Sequence, residues 1–262
     1  MLSPYRVLDL TDHRGELGPS ILADLGADVI RVEPPDGSEA RRQGPRMAGV
    51  LESEASLQFF AYNRNKRSIV LDLCDASDVE TFLALVATAD FVFESGPPGA
   101  LAPYGLGFED LRAAQSQIVH VQVTPFGSDG PYANYSATDL VVASLGGPVS
   151  VQGDPDHPPV RVTVPQVWRH AGGEAAVAAL VAHARMRATG EAQFVDVSAQ
   201  CVMTWTMLNA MVAAGIQGHD FERGGSDMQL GTSTYRVVYP CADGHVATLG
   251  HGGTLAPLIP WL

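Results

Sequence analysis

With 262 residues, 46% apolar and 17% charged, the chain can bury one large core or one and a half, and it is not disordered by composition. A formal charge of −13 argues against general affinity for nucleic acid or an anionic membrane surface, while leaving room for an anionic ligand held by a few local donors. Cys74, Cys201 and Cys241 are far apart and lack metal-ligand spacing, residues 1–15 show no basic-then-apolar leader, and no run reaches the roughly 18 apolar residues of a membrane span, so a reduced, cytoplasmic protein without a metal is expected.

Residues 5–10 read as a short buried strand, and 19–25 as a helix closed by Gly26. Residues 28–33 are the next strand, ended by Pro34-Pro35, which can neither donate to a ladder nor continue a helix. The polar, Gly- and Pro-punctuated stretch 36–58 carries Arg41, Arg42 and Arg46 and reads as a loop or a short irregular excursion. Then come a strand over 67–73, a helix over 79–87 capped by Asp75 or Ser77, a strand over 91–94, a helix over 108–114 and a strand over 118–123. Strands alternating with helices predict an α/β fold, a parallel sheet with helices on both faces. Ligands on such sheets sit at the carboxyl ends of strands, which singles out the loops after Leu10, Glu33, Leu73, Glu94 and Val123.

The stretch 165–198 organises the rest. Residues 175–184 are almost wholly Ala, Val and Leu, so this helix is expected to be buried on most sides. Arg185 and Arg187 place positive charge on its last turn, Thr189-Gly190 stops it, and a strand follows over 194–198. Residues 199–213 read as a Met-rich packing helix (Met203, Met207, Met211), and 234–239 with 245–249 as strands around an Asp243-Gly244 hairpin. The expected organisation is a large α/β domain over 1–200, a helical linker over 201–232, and over 233–262 the beginning of a small, truncated domain.

Single motifs are weak: there is no GxGxxG after the first strand, no phosphate loop, no HExxH and no GxSxG. His120 in a strand reads as structural, and His13 and His170 as solvated. Lys66 and Arg67, beside a strand end, read as solvated or structural as readily as ligand-binding.

Taken together, however, the ordered segments resemble the class III CoA-transferase family, which includes formyl-CoA, carnitine and bile-acid CoA-transferases and α-methylacyl-CoA racemases. They are Leu8-Asp-Leu10, Leu22-Ala-Asp-Leu-Gly-Ala-Asp-Val-Ile30, Val32-Glu33-Pro34, Asn63-Arg-Asn-Lys-Arg-Ser-Ile69, Leu71-Asp72, Ala89-Asp90, Pro98-Gly99, Phe126-Gly127, Gly130-Pro131-Tyr132, Asp139, Gly146-Gly147, the unit from Arg185 to Ser198, Tyr239-Pro240 and Asp243-Gly244. The resemblance covers residues 5–249 and implies a Rossmann-like large domain in a chain that usually runs longer and interlocks with a second subunit.

It also implies a chemistry: CoA moves from an acyl-CoA to a small carboxylic acid through an aspartate that attacks the thioester. Twenty-two positions before Gly190, where that aspartate is implied, stands Trp168, four residues ahead of Gly172. An indole is a donor only and cannot be nucleophile or base. The racemase branch is implied to use a His where this chain has Thr138. Asp139, matching a family acid or alternatively capping a helix, and Glu174, the acid nearest Trp168 on its helix, are the candidate catalytic carboxylates. Family donors to CoA are replaced by Pro34, Ser95 and Pro103. The implied CoA-binding positions are Arg14, Arg41, Leu71, Asp72, Ser95 and Asp139, with Arg42 and Arg46 as further substitutes. The expected state is a homodimer or a heteromer with an intact homologue; the alternatives are a catalytically silent subunit and a non-functional fragment.

Overall fold

The computed structural model describes residues 1–230 and 233–248. Strands β1 (Arg6–Leu10), β2 (Asp28–Glu33), β3 (Lys66–Val70), β4 (Phe91–Ser95), β5 (Val119–Thr124) and β6 (Gln193–Ser198) form one sheet in the order β3-β2-β1-β4-β5-β6, every pair parallel. The expected α/β parallel sheet is therefore the fold. Helices are α1 (Leu17–Asp24), α2 (Leu57–Tyr62), α3 (Ala76–Val86), α4 (Phe108–Ala114), α5 (Asp139–Leu145) and α6 (Val167–Thr189).

Side chains alternate across the sheet. Leu8, Ile30, Val32 and Val92 pack with Phe82 and Val86 of α3 and Leu111 of α4 in one core layer. On the other face α6 lies over β5 and β6 and against α1. His183 of α6 sits edge-on to Tyr5, 4.7 Å between ring centroids, and 5.3 Å from Phe91. The helices α1 and α6 cross at glycines: a Cβ on Gly172 would meet Leu17 Cβ at 2.8 Å and the Gly18 nitrogen at 3.2 Å. This close approach sets the register of α6.

Residues 36–58 are the irregular excursion, with short 3-10 turns at Glu39–Arg42 and Glu52–Glu54, and at their end Ser56 caps α2 by accepting the Phe59 amide at 2.9 Å. Several elements differ from expectation. Helix α6 starts eight residues earlier than the apolar run suggests, at Val167, and ends as expected at Gly190, whose φ of 77° is left-handed. It is buried on one face only: Ala171, Ala175 and Ala179 are covered, while Val177 is 58% and Val181 65% exposed. The single helix expected over 199–213 is broken into α7 (Ala199–Trp205) and α8 (Leu208–Val212), followed by a π-helical turn at Ala213–Gln217.

The chain divides into two compact units, Met1–Gly146 with Val164–Met203, and Gly147–Thr163 with the chain from Thr204 onward. Segment 147–163 thus groups with the second unit although it falls inside the large domain read from sequence. Within that unit Arg223 donates to the carbonyls of Ser150 at 3.2 Å and Asp154 at 3.3 Å, and the Gly225 amide donates to Gly153 at 3.1 Å. The strand expected over 234–239 is two strands: β8 (Ser233–Arg236) pairs antiparallel with β7 (Asp227–Leu230), and β9 (Val238–Cys241) with β10 (Gly244–Ala247). The end of the expected 245–249 strand and the rest of the expected small domain to 262 lie outside the described residues.

Candidate active site

The strand order reverses between β1 and β4, and the crevice at their carboxyl ends is where open α/β sheets hold ligands. The loop leaving β1 is braced across that crevice. Ser95, the last residue of β4, accepts the Asp12 amide at 2.9 Å and donates its hydroxyl to Asp12 Oδ1 at 2.8 Å. Asp12 in turn takes the Arg14 amide and guanidinium. Burial by itself would raise the Asp12 carboxyl, but the Arg14 hydrogen bonds and charge outweigh it and hold the group below its ordinary value. Arg14 is therefore already committed to an anion of its own loop.

Gly172, locked against α1, puts Trp168 one turn nearer the amino end of α6. There Trp168, 6% exposed, lines a cleft of about 290 Å³ with His13, Arg14, Gln43, Gln58, Thr138, Asp139, Pro165 and Arg169. The acid of this cleft is Asp139. It does not cap its own helix; Thr138 does, accepting the Val141 amide at 3.4 Å. Asp139 Oδ1 instead accepts the Val167 amide, 2.9 Å away, satisfying the first turn of α6, whose Gln166 supplies no side-chain cap. The positive end of a 23-residue helix is thus covered by a carboxylate from another element.

His13 is half-buried rather than fully solvated. Its Nδ1 is buried without a hydrogen-bond partner among the described residues, and burial pushes the imidazole below its ordinary value, against the pull of Asp12. Arg169 lays its guanidinium over the Tyr62 ring, 3.9 Å from the centroid, and forms no ion pair among the described residues.

Below the cleft lies a buried charge node. Asp9 Oδ2 meets Lys66 Nζ at 2.8 Å and Arg31 Nη1 at 3.1 Å, while its Oδ1 accepts the Thr11 amide at 2.9 Å and hydroxyl at 2.6 Å. Burial opposes the ionised Asp9, yet the charges of Lys66 and Arg31 outweigh it and keep the carboxyl below its ordinary value. Asn63 joins the node to the cleft wall: its Oδ1 accepts from Lys66 and Arg31, each at 2.9 Å, and its Nδ2 donates to Glu16 at 3.0 Å. Glu16, pushed up by burial, also takes the amide of Gln58 at 3.3 Å.

A second hollow of about 250 Å³ lies at the ends of β1 and β2, lined by Leu10, Val32, Pro34, Leu71, Asp72, Leu101 and Tyr104. It is largely apolar, the kind of slot that accepts a flat ring.

The model of CoA-transferase family III matches residues 2–256 of the sequence. The chain belongs to that family. Among curated relatives it is 36% identical to the succinyl-CoA:(R)-benzylsuccinate CoA-transferase subunit BbsE of Thauera aromatica, over 99% of this chain and 63% of the relative. It is 35% identical to the succinate–glutarate CoA-transferase of Agrobacterium fabrum, over 96% of this chain and 64% of the relative. Among solved structures, a CAIB/BAIF family protein from Brucella suis superposes with a TM-score of 0.84 at 30% identity, covering 93% of this chain and 64% of that one. The chain spans a little under two thirds of the length of these relatives.

With the family in hand, the expected site residues separate into groups. Trp168, Asp139 and Arg14 meet in the cleft, and Leu71 and Asp72 in the apolar hollow. Ser95 braces Asp12. Arg41 is not in the cleft: it is clamped by both oxygens of Glu33, at 2.6 and 2.8 Å, and pairs with Glu54 at 3.0 Å, near Arg42 and Arg46 in a hollow of about 260 Å³. Glu174 is exposed and does not line the cleft, because positions 170, 174 and 177 form the outward face of α6. His13, Gln43, Gln58 and Arg169 were missed. The signal for His13 was its place in the loop after β1, and for Arg169 its position beside Trp168.

Proposed function

We propose that this chain is the catalytic large-domain part of a transferase that moves CoA between an acyl-CoA and a small carboxylic acid. The observation that carries the reading is the cleft at the switch point, where Trp168, Arg14, His13 and Asp139 converge in a chain of this family. The names of two relatives, which mention succinyl-CoA, benzylsuccinate, succinate and glutarate, support a small organic acid as acceptor. The apolar hollow around Leu71 suits the ring of the CoA nucleotide, with Asp72 as an acceptor at its edge.

Trp168 alters the route. With an indole in place of the reactive acid and Asp139 engaged by Val167, the acceptor's own carboxylate is the nucleophile that the cleft supplies. Its oxygen adds to the thioester carbonyl carbon, the C–S bond breaks, and CoA leaves as thiolate; the product is an anhydride of the two acids. The thiolate then adds to the acceptor's carbonyl carbon, the anhydride C–O bond breaks, and the donor acid departs as carboxylate. No proton is gained or lost. Both substrates must be bound at once, so holding them together supplies the main rate advantage.

Initial-rate kinetics test this: acetyl-CoA with succinate, and succinyl-CoA with acetate, are expected to give intersecting lines and no acyl adduct on the protein by mass spectrometry. Trp168→Asp is expected to open a covalent route, seen as an acyl adduct at that residue. Parallel ping-pong lines with an adduct on another acid would overturn the direct route, and absence of any exchange would overturn the function. One relative is named as a subunit, which supports assembly with a second chain; light scattering and co-purification read that directly.

A further inference from the structure

The cleft holds two guanidinium groups, and only one is spent. Arg14 is closed onto Asp12 through its backbone amide and its side chain. Arg169, the residue after Trp168, has its flat face on Tyr62 and forms no ion pair among the described residues. Stacking occupies the face of a guanidinium and leaves the in-plane N–H fork, the edge that binds a carboxylate with two parallel hydrogen bonds.

The stacking partner is held firmly. Tyr62 ends α2, whose start is capped by Ser56, and the next residue, Asn63, is tied to Glu16, Arg31 and Lys66. The platform under Arg169 is therefore built into the buried charge node.

We infer that Arg169 is the specificity-determining residue of the cleft and that it selects a short dicarboxylic acid by binding the carboxylate that does not react. The inference rests on the transferase reading above. An acid with a single carboxylate cannot both sit on Arg169 and offer its oxygen to the thioester. A diacid can, with one group on the guanidinium and the other free. At about 290 Å³ the cleft is at the small end of ligand pockets, roughly 300–1,000 Å³, which suits a short chain between the two groups.

Calorimetric titration of succinate and dimethyl succinate onto the chain tests this without turnover, because the diester has no carboxylate to offer the guanidinium. Wild type is expected to bind succinate at least about tenfold more tightly, the scale of a charge-assisted pair. Arg169→Met keeps the length of the stem and removes the fork. It is expected to bring succinate down to the affinity of the ester, with ester binding unchanged and the melting temperature lowered by no more than about 2–4 °C, the scale of the lost stack. Arg169→Lys, which keeps the charge without the fork, is expected to fall between. Equal affinity of wild type for the two ligands, no measurable binding of either, or a succinate preference that survives in Arg169→Met would overturn the inference. A preference that holds while no CoA exchange is detected would sink the transferase reading alone, and exchange without preference would sink the role of Arg169 alone.

Discussion

Arg31 and Arg169 belong to the same unit of the chain and have opposite surroundings. Arg31 is fully buried and its terminal nitrogens are spent on Asp9, Asn63, the Thr11 carbonyl and the Ser38 hydroxyl. Arg169 is half-buried, stacked on Tyr62 and, among the described residues, without an anion. A buried cation that the fold has already neutralised is a structural member, since nothing further can be gained by a ligand there. A cation held in place but left unneutralised at a cleft has its ligand still to come. The contrast separates what holds the sheet together from what the sheet presents.

The largest test of the contrast is to remove the anion of the buried node. Asp9→Ala leaves Arg31 and Lys66 as uncompensated buried charges and is expected to cost about 3–5 kcal/mol, read as a lower urea midpoint with unchanged slope. A cost below about 1 kcal/mol would show that water reaches the node and that it is no more structural than the cleft. Next in size is Gly172→Ala. Its Cβ would press on Leu17 at 2.8 Å, a contact that real side chains do not make, so α6 must shift. Overpacking of this kind costs about 1–3 kcal/mol. Because Gly172 sets the register of Trp168, cleft binding is expected to weaken along with the melting temperature.

Acid acts on the two regions through different groups. Asp9 and Glu33 lie below their ordinary carboxyl values, burial being outweighed by Lys66 and Arg31 in the first case and by Arg41 in the second. Asp12, at the cleft, is lowered in the same way by Arg14. Groups with depressed folded values stabilise above the unfolded value of about 4 and lose that contribution as pH falls through the folded value. His13 and His183 are lowered by burial, so the unfolded chain protonates first and stability begins to fall below about pH 6.5. Glu16, raised by burial, works the other way: the folded chain takes its proton first, which offsets part of the acid loss. Urea midpoints at decreasing pH are expected to fall in two stages, and His13→Gln is expected to shrink only the first. A single stage confined to low pH would show that neither histidine is held neutral.

The sheet was legible because each strand is a short segment carrying β-branched or other apolar residues between turn residues, and the strand boundaries moved by no more than a few residues. The start of α6 was not. Val167 to Gly173 mixes an aromatic residue, a charge and two glycines, and what makes it helical is tertiary: Gly172 against Leu17, and Asp139 on the Val167 amide. The replacement at Trp168 could be read from spacing, and the structure puts that residue in the cleft. The fate of the basic residues could not. Lys66, Arg41 and Arg169 look alike in sequence, but Lys66 is closed onto Asp9, Arg41 onto Glu33, and Arg169 onto an aromatic face. Only the distance to an anion tells them apart, and both anions, Asp9 on β1 and Glu33 on β2, lie on different elements from their partners. Asp139 shows the same limit, for its partner is 28 residues away.

The smallest expected effect on stability sharpens the comparison most. Arg169→Ala removes a cation–π stack at a half-exposed site, worth about 0.5–1 kcal/mol, and no ion pair among the described residues. Set against Asp9→Ala, the loss in folding stability is expected to be several times smaller, measured by urea denaturation under the same conditions. Diacid binding should respond in the reverse order: at equal temperature and well below either melting transition, Arg169→Ala loses the succinate preference while Asp9→Ala, where it folds, keeps it. If Arg169→Ala instead costs as much stability as Asp9→Ala, the guanidinium is a structural member after all, and the line drawn here between spent and unspent cations does not divide fold from site.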